Sequence, residues 1–144
     1  MGERTWQEQW SAIIRAFMAV GRVYSGQHLD ALSEQQLVYD FCRDCSQLRH
    51  SLETDPAVAR EVQQAVWAHL VNSPCINLAV AIAHPKYVGQ TVIRPVLEQN
   101  PPRTTMRIDW DNPDGTRGSE DAFDLAAGAV GEWRTFLTRH RLMH

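Results

Sequence analysis

A chain of 144 residues, 44% hydrophobic and 22% charged, has the size and make-up of one globular domain with a core of its own. Its net charge of -3 and pI near 6.0 exclude an overall electrostatic pull toward phosphate backbones or anionic lipid. No apolar run reaches the ~20 residues needed to span a bilayer, and MGERTWQEQW lacks the apolar centre of a secretory signal. A cytoplasmic protein without a membrane partner is therefore expected, with its three cysteines free.

The first segment opens with Thr5 and Glu8 in capping-box relation and places Trp6, Trp10, Ile13, Phe17, Val20 and Tyr24 on one face. This predicts an amphipathic helix ending near Gly26. Ser33 with Gln36 repeats the capping signal, and Leu37, Phe41, Cys45, Leu48 and Leu52 predict a second helix to about Glu53. Asp55-Pro56 reads as a cap followed by a first helical residue, opening a third helix with Val58, Val62, Ala65, Val66 and Leu70 as its stripe.

Ser73-Pro74 starts a fourth helix, Cys75 to roughly Ala83, apolar almost all round and so expected to be buried on nearly every side. After Gly89 the period changes. Thr91 to Leu97 is rich in β-branched residues, and Met106, Ile108 and Trp110 alternate with polar neighbours, which predicts a hairpin with Pro95 on an edge strand. Asn112-Pro113-Asp114-Gly115 closes it. A last helix is predicted from Ser119, with Phe123, Ala126, Val130, Trp133 and Leu137 on one face. The sum is a mainly α fold, a four- to five-helix bundle with a small inserted antiparallel β-hairpin at about 91–110, within one domain spanning 1–144.

Cys42 and Cys45 form FCRDC in mid-helix, away from any helix N-terminus and without a second cysteine pair. They read as structural thiols, and neither metal nor cofactor is expected. Cys75 opens the fourth helix, where the helix N-terminus can lower a thiol pKa. His69 falls on the inner side of the third helix, either as a general base or as a core residue bonded to a backbone carbonyl. Asn77 lies inside the apolar helix as an amide that must find partners.

His84, Lys86 and Tyr87 place an acid–base group, a cation and a phenol within one turn of that helix's end. Such a set suits the binding and protonation of an anionic or carbonyl-bearing small molecule. Arg94 and Arg107 of the hairpin, with Arg103, become anion clamps if the ribbon folds over this end. Arg43 and His50, seven residues apart, share a polar helical face with Arg49 beside them.

The segments FCRDCSQLRHSLETDPAV and NSPCINLAVAIAHPKY, with the terminal EWRTFLTRH, resemble a group of bacterial helical proteins of HEPN-like class. In those proteins the central apolar helix ends in a signature such as DIANGSKH; here Ala81, His84 and Tyr87-Val88 stand at its Asp, Asn and Lys-His. The resemblance implies a helical bundle and, through the Arg–His pairing of HEPN nucleases, an RNA site at Arg43, Arg49 and His50 across a dimer.

Three functions follow as expectations. The first is a small cytosolic protein, a homodimer, with a small-molecule pocket at the end of the central helix and His84, Tyr87 and His69 as acid–base groups. Lys86, Asn77, Arg94 and Arg107 would hold the ligand. The others are a HEPN-like RNA-binding or RNA-cleaving protein of a bacterial stress or defence system, and a non-catalytic interaction module.

Overall fold

The computed structural model describes residues 4–27, 29–84, 91–99, 103–112 and 114–143, without the side chain of Ala31. Among the described residues it holds five helices and three strands. Helix α1 (Trp6–Tyr24) is capped by Thr5, whose hydroxyl accepts from the amide of Glu8, as the sequence predicts. Its end is a Schellman turn: Gln27 N–H donates to the carbonyl of Arg22 and Gly26 N–H to that of Val23, with Gly26 at φ +100°.

Helix α2 (Ala31–Thr54) starts before the predicted Ser33. Asp30 is its cap, accepting from Ser33 N–H, while Glu34 reaches back to the amide of Leu29. The capping box therefore lies three residues upstream of the expected one. Phe41, Cys45, Leu48 and Leu52 form the buried stripe, and Leu37 is half-buried beside it.

Asp55 does not open α3. It ends α2, and its carboxylate accepts from Ala57 N–H at 2.8 Å and from Trp6 N–H at 3.5 Å, which ties the start of α1 to this corner. Helix α3 (Arg60–Val71) begins only after that turn, and α4 (Pro74–Ala83) follows it at a bend of 93°. Among the described residues, no single helix is long and apolar enough to cross a membrane. Nor is α4 buried all round: Ile76, Ala79 and Ile82 are buried, while Asn77 is exposed. Its apolar residues exceed what its neighbours cover, so one face is left open.

The hairpin is part of a three-stranded antiparallel sheet, β1 (Thr91–Glu98), β2 (Arg103–Asp111) and β3 (Arg117–Asp121), in that order. Thr91 faces Trp110 and Glu98 faces Arg103, so Pro95 sits on an edge strand. Strand β3 occupies the residues expected to start the last helix, with Ser119 opposite Asp109. Helix α5 (Ala122–Arg139) starts after it, capped by Asp121.

One sheet face is apolar, through Ile93, Met106 and Ile108, and packs on the helices; β2 meets α1 and α5, and β1 meets α2. The Tyr24 hydroxyl holds that junction. It donates to Asp121 Oδ1 at 2.7 Å and accepts from Met106 N–H and Phe123 N–H, joining α1, β2 and α5. Burial, foremost, pushes its pKa up, so it stays a neutral donor. The core between α1, α2, α4 and α5 is filled by Ile13, Phe41, Leu48, Ile76, Trp133 and Phe136.

Helices α4 and α5 approach closely because Gly128 faces Cys75: a Cβ there would lie 2.4 Å from its Sγ. Gly131, one turn on, has nothing within 4 Å of the same position. Gly128→Ala is accordingly expected to be less stable than Gly131→Ala, because the Cys75 side chain must shift to admit the new Cβ and offsets the gain in helix propensity. Gly131→Ala gains about 0.5–1 kcal/mol through helix propensity. Urea unfolding of both variants checks this order, and equal midpoints would contradict the packing.

Candidate functional site

The first turn of α4 leaves the amides of Cys75 and Ile76 without intrahelical acceptors, while Pro74 at its first position has no N–H to satisfy. Ser73 makes no side-chain cap. The acceptor comes from α5: Glu132 takes Ile76 N–H on Oε1 at 2.8 Å and Cys75 N–H on Oε2 at 3.4 Å. A carboxylate at a helix N-terminus is also favoured by the helix dipole.

The carbonyl of the same residue accepts from His69 Nε2 at 2.8 Å. A carbonyl can only accept, so the Nε2 of His69 carries its proton. One α5 residue therefore clasps the end of α3 and the start of α4.

Half-buried against Trp133 and Phe136, His69 has its pKa held below the ordinary value, chiefly by burial. Its arrangement is that of the core histidine bonded to a backbone carbonyl. Cys75, by contrast, departs from the expected lowered pKa: burial pushes its thiol up, and the nearby carboxylates of Glu132, Glu120 and Asp124 add to the effect. Glu132 has taken the positive end of the helix that would have favoured a thiolate. Cys42 and Cys45 are fully buried, and burial alone pushes Cys42 up to about 12.

The bend between α3 and α4 opens a groove of about 510 Å³ against α2. Trp67, Leu70, Val71, Val80 and Ala81 make its apolar lining, and Arg49, Asn77 and His84 its polar rim. Trp67 is 61% and Val71 56% exposed, high values for side chains of this size. Above Trp67 stands the Arg49 guanidinium, 5.4 Å from the ring centroid, with Glu53 Oε1 accepting from its Nε at 3.0 Å. His84 Nε2 lies 3.3 Å from Ser46 Oγ.

Of the residues expected to form a small-molecule site, the groove joins Asn77 and His84 and adds Arg49 from the set expected for RNA. His69 does not line it. Lys86 and Tyr87 lie outside the described residues. Asn77 contributes as an exposed rim amide and not as the buried amide expected from its neighbours.

Arg94 and Arg107 do not reach the groove either. They face each other on the outer side of the sheet, in a chain where Arg94 Nε donates to Asp109 at 2.6 Å, Ser119 Oγ to Asp109 at 2.7 Å and Arg107 Nε to Ser119 at 2.8 Å. Arg103 pairs with Glu98. Arg43 and His50 line a separate cavity from Arg49. Trp67 and Arg49 carry no sequence signal as groove residues, and a glutamate in an amphipathic helix such as Glu132 reads as solvated; its spacing of four from Gly128 and from Phe136 is the signal that places it toward the neighbouring helices.

Among the described residues, no group of three His, Cys, Asp or Glu side chains is placed to hold a metal ion. Comparison with family models, with curated proteins and with solved structures finds no match.

The His69 shift has a pH consequence. Its folded pKa is depressed, so its contribution to stability is complete above the ordinary value of 6.5 and is lost as pH falls through the lower folded value. Replacement by glutamine, which can still donate to the Glu132 carbonyl, removes that dependence. The denaturation midpoint of the wild type should therefore fall relative to His69→Gln on going from pH about 7.5 to about 5. Parallel midpoints would contradict the assignment.

Proposed function

We propose that this chain is a small-molecule-binding protein whose site is the α2–α3–α4 groove, with an apolar ligand body on Trp67 and an anionic or carbonyl group at Arg49, Asn77 and His84. The observation that carries it is the convergence of three polar side chains from two helices on one apolar concavity. Part of the same proposal is that the helices form a HEPN-like bundle in a homodimer. If turnover occurs, His84 is the group able to move a proton, and Ser46 orients its ring through the 3.3 Å contact.

One observation weighs against an RNA site at Arg43, Arg49 and His50: α2 turns them toward different cavities. A non-catalytic interaction module draws on the same exposure of Trp67 and Val71, and it differs in what occupies the groove.

Anilinonaphthalene sulfonate, an apolar body with one anionic group, is a direct probe. It is expected to bind with one-to-one stoichiometry and to quench tryptophan emission. Arg49→Gln should weaken it about tenfold and Trp67→Ala more, with the thermal midpoint of Trp67→Ala nearly unchanged because that side chain is exposed. Unaltered affinity in both variants would sink the proposal.

A further inference from the structure

A second cavity lies on the other side of α2, against the first turns of α1, with a volume of about 530 Å³. Its floor is polar. Gln9 of α1 is 2% exposed and Asp44 of α2 8%, and Gln9 Nε2 donates to Asp44 Oδ1 at 3.2 Å and to the Asp44 carbonyl at 3.4 Å. Burying a carboxylate is costly unless it is paired, and among the described residues this is the one side-chain hydrogen bond to it.

No arginine closes on Asp44. Arg43, on the rim, pairs instead with Asp40, with 58% of the Arg43 side chain exposed. Arg4, also on the rim, is exposed. The cavity thus has a negative floor and a positive rim. Arg4, Arg43 and Asp44 also line an adjoining cavity of about 280 Å³, so the space continues past the charged groups.

We infer that this cavity binds a small zwitterion of the α-amino-acid type, its ammonium on Asp44 and the Gln9 amide oxygen, its carboxylate on Arg43 and Arg4. Two opposite charges two bonds apart are what a carboxylate under a guanidinium rim selects. A simple anion meets Asp44, and a simple cation meets Arg4 and Arg43. The Asp44 carboxyl is pushed up by burial, with the Gln9 hydrogen bond and the two arginines opposing, so an ammonium beside it relieves the largest of these effects. The adjoining cavity gives room for an amino-acid side chain. The site is separate from the groove that Arg49 and Trp67 line, and it stands whether or not that groove binds a ligand.

L-alanine, propionate and ethylamine test it, as the zwitterion and its two halves. Titration of the labelled full chain, read at the amides of Asp44 and Ser51, should show saturable shifts for L-alanine in the millimolar range and none for either half. Asp44→Asn, which keeps the shape and a partner for Gln9, should weaken binding about tenfold or more. Arg43→Gln, at an exposed position, should weaken it several-fold and carries the test if the first variant fails to fold.

Propionate binding as well as L-alanine, or unchanged L-alanine affinity in Asp44→Asn or Arg43→Gln, would overturn the assignment. So would inorganic phosphate binding that strengthens in Asp44→Asn, which marks a plain anion site. Absence of any saturable shift with L-alanine at tens of millimolar overturns it as well.

Discussion

The first turn of α4 leaves the amides of Cys75 and Ile76 without intrahelical acceptors, Ser73 offers no side-chain cap, and the carboxylate of Glu132 takes both. The carbonyl of Glu132 takes the His69 proton at the same time. This double use fixes where α3 stops and α4 starts, on a helix whose own position is set by Trp133 and Phe136 in the core. Gly128 allows the required approach by leaving space for the Cys75 side chain. Without an acceptor there, two partly buried amides would each carry a desolvation penalty of about 1–3 kcal/mol.

The 93° bend has a cost in coverage. A short apolar helix set across its predecessor cannot bury both faces, so Val80 and Ala81 are left beside Trp67 and Val71 as the wall of an open groove. Helix α2 closes the groove with Arg49 and, from its other face, floors the second cavity with Asp44. The two concavities therefore differ in kind. One is apolar with a polar rim, and the other polar down to its floor, because α2 presents apolar contacts toward α4 and, toward α1, the buried Asp44 carboxylate that Gln9 of α1 meets.

Much of the fold was legible in the chain, and for a physical reason. The apolar stripes of α1, α2 and α5 follow the helical period over four or more turns, and Thr5 acts within three residues of its partner Glu8. Features that depend on distant partners were not legible. Asp55-Pro56 has the local chemistry of a helix start, yet its carboxylate is drawn to Trp6, 49 residues away. Strand β3 carries no apolar alternation, and its pairing is set by β2 and by the Ser119–Asp109 hydrogen bond.

The candidate site was legible only at His84 and Asn77. Periodicity placed Asn77 in a buried helix because it counts apolar residues, not the neighbours available to cover them. Arg49 and Trp67 lie on different helices and meet only once α3 packs against α2.

That corner is tested most directly by amide hydrogen exchange at Ile76 and Cys75. Neither amide has an intrahelical acceptor, so protection there reports on Glu132 alone. Ile76 is predicted to be protected in the wild type and to exchange at least about tenfold faster in Glu132→Ala, while the core amides of α2 keep their rates. Equal exchange of Ile76 in the two proteins would contradict the clasp, and with it the origin assigned to the groove.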